Sequence, residues 1–295
     1  MMFKTLMEVL EILESADPMD QIKSMLKGKI LLREINVEDV PFLKAVYGGG
    51  KERVRVIGRL GAIQMRKVNK GLVSDADGAV VSLALLMELV KLMEKGIKLD
   101  VEVSIVTNLS TDAKLVPHKP FDFMVPPVGL DDALKIEVDE ETSLVLSVDS
   151  TKGNKIAKYD DFALTHVVKD GYIMKLDDDV INIYNKVTGH EIFLVPLTTG
   201  DLTPLDYKVY HISTLVSPWL YTHSPVIGVA TVSREVIPGY ETGVLDITML
   251  EHASRFCLEL LKFVEKGGKV YDQKEFEELK ERLGESNLRK IQRIG

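Results

Sequence analysis

Apolar residues recur at three- and four-residue spacing from the start of the chain, with Phe3, Leu6, Met7, Leu10 and Leu13 on one face. This spacing predicts an amphipathic helix over residues 3–15. Asp17-Pro18 opens a second short helix, roughly residues 19–26, that ends near Gly28. Gly48-Gly49-Gly50 interrupts the pattern as a tight turn or linker, with no phosphate-loop pattern around it. Residues 54–57 read as a short strand, and residues 68–73 fit either state. Residues 79–93 are apolar nearly all round, which marks a helix buried on several sides, closed by Gly96. Short apolar runs at 101–106, 144–148, 193–197, 211–216 and 226–232 read as buried strands. Residues 246–264 form a second long amphipathic pattern, with Asp246 and Thr248 at its start and Gly267-Gly268 at its end. Residues 273–293 are densely charged and helical in pattern. The alternation of strands and helices predicts an α/β three-layer sandwich around a central, mostly parallel sheet. It divides into an N-terminal helical extension packed on the main domain (1–50), an α/β domain (51–268) and a charged C-terminal helix (269–295).

Composition narrows the function classes. A chain of 295 residues with 45% hydrophobic positions buries a sizeable core. The net charge of −8 argues against nucleic acid as a partner, since that role needs a basic face. Cys257 is the single cysteine, so no intrachain disulfide forms, and its apolar helical setting reads as core. The longest apolar stretch, residues 79–90, is too short for a bilayer and contains Ser82 and Glu88. Glu8, Glu11 and Glu14 break up the first helix, so it has no signal-peptide organisation. The expected setting is the cytoplasm, without a membrane partner.

Four polar positions stand in apolar surroundings. Asp75 and Asp77 lie in Ser74-Asp75-Ala76-Asp77-Gly78, directly before the apolar helix. Either residue suits the positive end of a helix as a cap, and either suits a metal ion. Asp149 ends the run Leu144-Val145-Leu146-Ser147-Val148, where an unpaired carboxylate is costly to bury. It projects into a ligand crevice at a strand end, or it begins the turn Asp149-Ser150-Thr151. His223 sits in Tyr221-Thr222-His223-Ser224-Pro225. The other histidines, His118, His166, His190, His211 and His252, show no metal-ligand spacing.

Taken together, residues 54–264 resemble the co-catalytic zinc exopeptidases, and most of all the glutamyl and leucyl aminopeptidases that form large hollow oligomers. The Asp-x-Asp-Gly segment resembles the family's bridging-aspartate motif, which would make Asp75 the shared ligand. Ser147-Val148-Asp149-Ser150-Thr151 resembles the strand-end aspartate motif, and Tyr221-Thr222-His223-Ser224-Pro225 the terminal histidine motif. Thr198-Thr199-Gly200-Asp201 is similar to a Gly-Thr-Asp stretch that precedes the latter. The chain is also similar to an uncharacterised prokaryotic branch of this superfamily, a group of unknown function.

The departures are specific. The family's first metal-binding histidine should follow the strand near residues 54–57, where this chain has Gly58-Arg59-Leu60-Gly61. Its paired glutamates, one the general base and one a ligand, should follow residues 101–106. The segment there is Thr107-Asn108-Leu109-Ser110-Thr111-Asp112. By the resemblance each metal keeps two of three protein ligands, whereas catalytic zinc normally has three plus an open position. Asp77, Asp112 and His118 stand as substitutes. The resemblance therefore implies a zinc-exopeptidase-like, phosphorylase/hydrolase-like fold, with a metal site at Asp75, Asp149 and His223 holding zinc, another divalent ion or none. The function it implies is a degenerate or altered-activity member binding a small molecule or peptide. The alternatives are an active metallo-aminopeptidase or amidohydrolase using substitute ligands, and a structural subunit of a homo-oligomer.

Overall fold

A computed structural model describes residues 2–59, 72, 76–110, 114–117, 123–125, 128–138, 142–151, 156–198, 214–232 and 245–286. The chain opens with helices α1 (Met2–Leu13) and α2 (Pro18–Leu26), which match the apolar spacing. Strands β1 (Leu31–Val37) and β2 (Val40–Tyr47) then form a hairpin. Glu38 and Asp39 make its two-residue turn with φ of 49° and 66°, the left-handed pair that suits the twist of a tight hairpin. The helical reading of residues 1–50 is therefore corrected over this hairpin, because β2 pairs with a central strand and makes it part of the main sheet.

The central unit follows: β3 (Glu52–Gly58), α3 (Asp77–Glu94), β4 (Val101–Asn108), the small pair β5 (Lys114–Val116) and β6 (Phe123–Val125), α4 (Leu130–Glu137) and β7 (Leu144–Thr151). The remainder comprises β8 (Ala163–Leu164), β9 (Val167–Lys169), β10 (Tyr172–Met174), α5 (Asp178–Thr188), a 3₁₀ helix (Thr214–Leu220), β11 (Val226–Val232), α6 (Ile247–Glu265) and α7 (Gln273–Leu283). Two expected strands are corrected. Residues 193–197 contribute a single bridge, Leu194 to Leu164, and the described end of 211–216 opens the 3₁₀ helix, which carries Pro218. Residues 68–73 apart from Leu72, and the C-terminal end of the charged helix, lie outside the described residues.

The main sheet runs β1-β2-β4-β3-β7-β11-β9-β10, with β8 also on β11. Its centre, β4-β3-β7-β11, is parallel, and antiparallel strands flank it on both sides. Side chains alternate across it. Val54, Val56, Leu144, Leu146, Ile227 and Val229 join the large core under α1, α3 and α6, whereas Ile57, Val145 and Val226 pack with Val216 and Trp219 of the 3₁₀ helix. With α4 on the 3₁₀ side, the sheet is covered on both faces. No helix among the described residues is long and apolar enough to cross a membrane.

The order β4-β3-β7-β11 contains a reversal. The chain leaves β3 through α3 to reach β4 on one side, then returns past β3 through α4 to β7 on the other. In such sheets ligands bind outside the carboxyl ends of the two strands at the reversal, here β3 and β7.

Candidate functional site

The carboxyl ends of β3 and β7 are tied closely. Arg59 N–H donates to the Val148 carbonyl at 2.8 Å, which continues the parallel register from the pair Gly58–Val148 and brings Arg59 alongside Asp149. The Thr107 hydroxyl donates to the Gly58 carbonyl at 2.9 Å. The first turn of α3 descends onto this edge. A Cβ on Gly78 would lie 2.2 Å from the Arg59 carbonyl oxygen and 2.7 Å from that of Val148. Asp77, in the same turn, is buried, and its charge suits the positive end of α3.

On the α4 side, Arg59 Nη2 meets Glu137 Oε2 at 2.8 Å, with side chains 11% and 5% exposed. Arg55, fully buried on β3, donates from Nη1 to the Glu137 carbonyl at 2.9 Å. Where the resemblance expects the first metal-binding histidine, the chain thus carries a guanidinium fixed to a buried carboxylate. Asp149 is half-buried at the end of β7, on the same face of the strand as Val145.

His223 is not part of this edge. Parallel pairing sets Val226 opposite Val145 and Ala230 opposite Asp149, so His223, before β11 begins, lies at the amino end of the sheet. Seven positions separate it from Ala230, on the order of 20 Å of extended chain. Its ring is 70% exposed, Nδ1 lies 2.6 Å from Asp170 Oδ1, and its carbonyl accepts from Lys169 Nζ at 2.6 Å. The expected grouping of Asp149 with His223 is corrected on this ground: an extended parallel strand separates the two ends. Asp75, Asp112 and His118 lie outside the described residues. Among the described residues, no three His, Cys, Asp or Glu side chains form a group that could hold a metal ion.

The sequence reading missed a second polar cluster. Asp161 precedes β8, whose Ala163 pairs with Ala230 and whose antiparallel course carries Asp161 toward the carboxyl end of β11. Its Oδ1 accepts from Phe162 N–H at 2.8 Å. Its Oδ2 lies 2.6 Å from His252 Nδ1 on α6 and 3.3 Å from His190 Nε2 beyond α5. Asp161 is 6% exposed. Burial, then the charge of Asp161, pushes the Tyr184 hydroxyl's pKa well up, so it stays protonated and donates to the Phe162 carbonyl at 2.5 Å. The three residues lie far apart in sequence and share no ligand spacing. The one local signal is Asp161 standing directly before the apolar run Phe162-Ala163-Leu164.

This sheet order and its helical layers define the class: an aminopeptidase-like α/β fold. Similar solved structures include an M17 aminopeptidase from Trypanosoma brucei (11% identity, TM-score 0.53, covering 86% of this chain and 61% of that one). Others are leucyl aminopeptidase from Trypanosoma cruzi (12%, 0.53, 85% and 62%) and glutaminyl cyclase from Porphyromonas gingivalis (9%, 0.52, 90% and 97%). The chain spans less than two thirds of the trypanosomal aminopeptidases' length. It belongs to the DUF1177 family of proteins of unknown function, whose pattern matches residues 35–293. No curated protein matches the sequence.

Proposed function

We propose that the crevice at the carboxyl ends of β3 and β7 binds a small peptide or amino-acid-like ligand, and that the protein is an altered member of the aminopeptidase-like fold without the standard two-metal centre. The observation that carries this reading is the Arg59–Glu137 pair beside Asp149 at the sheet's reversal point. A ligand crevice is expected at that point. The backbones of Arg59 and Asp149 stand side by side at the ends of neighbouring strands, and a guanidinium, which only donates, cannot ligate a metal ion as a histidine would. The described residues do not fit the family's ligand set, because His223 faces the opposite end and Arg59 replaces a histidine. The same guanidinium suits a ligand carboxylate, as at a peptide's C-terminus.

Calorimetric titration with leucyl-glycine and with bestatin tests the reading; a leucyl aminopeptidase from T. brucei has been solved in complex with bestatin. Saturable binding should be lost in Asp149→Ala and retained in His223→Ala, whose side chain lies at the far end of the sheet. Binding that survives Asp149→Ala, or no binding of either probe by the wild type, would refute it. Elemental analysis of the same samples separates the alternative. Near-stoichiometric zinc that disappears in Asp149→Ala would favour an active metallohydrolase using substitute ligands such as Asp112 or His118.

A further inference from the structure

We propose that the outer edge of β1 is a docking site for an extended acidic segment of a partner protein, which adds to the main sheet as a further strand. The site is separate from the carboxyl-edge crevice and shares no residue with it.

Strand β1 ends the main sheet on one side. The hairpin fixes which of its backbone groups face outward. In a hairpin with a two-residue turn, the residues flanking the turn exchange both hydrogen bonds, here Val37 and Val40, and bonded pairs then alternate along the strands. Arg33 and Ile35 therefore also bond β2, whereas Leu32, Glu34 and Asn36 direct their N–H and C=O groups away from it. Pro41, opposite Asn36, agrees with this register. It has no N–H to offer to β1, and its carbonyl accepts from Leu109 N–H on the β4 side at 2.9 Å. Among the described residues, the outward backbone groups of Leu32, Glu34 and Asn36 have no partner.

A groove of about 700 Å³ lies between β1 and α2. Its lining takes Leu31 and Arg33 from one face of β1 and Leu32 and Glu34 from the other, which places it along the edge of the strand. Ile30 and Leu43 add to its apolar walls, and Leu31 is 54% exposed. The charges in the groove are unbalanced. Asp20 and Glu34 are both taken up by Lys23, whose Nζ lies 3.0 Å from Asp20 Oδ1 and 2.7 Å from Glu34 Oε2. Lys27 and Arg33 line the same groove, are exposed, and have no acidic partner among the described residues. Open backbone groups, apolar walls and two uncommitted cations together suit an added strand. Main-chain hydrogen bonds hold such a strand, and alternate side chains are read on each face. A residue opposite Arg33 shares its face, so an acidic side chain there meets the guanidinium, while its two neighbours turn toward the apolar wall beside α2. A second copy of β1 fits worse. Two-fold antiparallel pairing sets the central residue against its own copy, and centring on Arg33 or Glu34 opposes like charges.

The test is fluorescence anisotropy of a labelled heptapeptide that alternates glutamate and valine, titrated with the full chain, beside the same peptide with lysine in place of glutamate. The acidic peptide should bind saturably, and the basic one about tenfold more weakly or worse. Reversing both free cations, Lys27→Glu with Arg33→Glu, should weaken the acidic peptide by about tenfold or more. Both positions are exposed, and circular dichroism confirms the fold of the variant. Amide exchange over residues 31–37, followed by mass spectrometry, should slow when the acidic peptide binds, because the outward N–H groups gain partners. No saturable binding of the acidic peptide, equal binding of the two peptides, binding untouched by the charge reversals, or unchanged exchange over residues 31–37 would each overturn the proposal.

Discussion

At the scale of single residues, Glu137 has the most demanding position. Its carboxylate is buried against Arg59, and its backbone carbonyl receives Arg55 from the middle of β3. Two guanidinium groups cannot be desolvated on one side of the sheet without such compensation. Replacing Glu137 by alanine leaves Arg59 buried and unpaired, which should cost about 3–5 kcal/mol of stability. Urea unfolding followed by tryptophan fluorescence measures this directly, since Trp219 is fully buried in the same layer and is the sole tryptophan. A loss below about 1 kcal/mol, typical of exposed pairs, would mean that water reaches Arg59 and that the pair is not the fixed cation argued for here.

At the scale of elements, the junction of α3 with the sheet determines whether the crevice exists. Gly78 lets the first turn of α3 touch the backbone carbonyls of Arg59 and Val148, and Gly58 meets the same turn from β3. The obstacles to a side chain there are backbone atoms, which cannot rotate away. Gly78→Ala should therefore destabilise the protein by about 3 kcal/mol or more, beyond the usual range for overpacking. It should also weaken ligand binding, whereas Gly96→Ala, at a helix end with no atom within 4 Å of a Cβ but φ of +80°, should cost only about 1 kcal/mol through backbone strain. Thermal denaturation of the two variants side by side decides the matter. The same elements show what a sequence reveals. Helices α1 and α6 were legible from one apolar face, α3 because it is apolar nearly all round, and strands β4, β7 and β11 because burial on both faces leaves short continuous apolar runs. The hairpin β1–β2 was hidden because Arg33 and Glu34 break the apolar pattern of the edge strand β1, where charge is tolerated and deters edge pairing, and Lys44 interrupts the apolar run of β2 although it is buried. The apolar run at 193–197 misled because a buried run need not find a ladder, and there it makes one bridge. Asp149 at a strand end was legible. The separation of His223 from it was not, because a motif records order along the chain and not which end of the sheet the chain has reached. The Asp161 cluster was not legible either, since its partners come from three elements joined only by folding.

For the whole molecule, α1 matters more than its place at the start of the chain suggests. It packs on both α3 and α6, burying Leu6, Val9, Leu10 and Leu13 in the main core. Its polar edge meets α3 through a network in which Thr5 Oγ1 donates to Glu88 Oε2 at 2.5 Å, and Lys91 Nζ reaches Thr5 Oγ1 at 3.0 Å and Glu8 Oε2 at 2.5 Å. Burial alone would raise the Glu88 pKa. The Thr5 hydroxyl, then the terminal amino group and last the positive charge of Lys91 outweigh it, and the net shift is downward. A carboxyl whose folded pKa is lowered stabilises the native state above its unfolded pKa, and that contribution is lost as pH falls through the folded value. The protein should therefore lose stability on acidification through and below the ordinary carboxylate range, with α1 loosening from α3 as Glu88 takes up its proton. Urea midpoints measured from pH 7 to pH 3 should fall more steeply in the wild type than in Glu88→Gln, which has no charge to lose at that position. Parallel acid limbs in the two proteins would show that Glu88 is not the linked group. They would shift the acid sensitivity of the fold to the other buried carboxylates among the described residues, Asp77, Glu137 and Asp161.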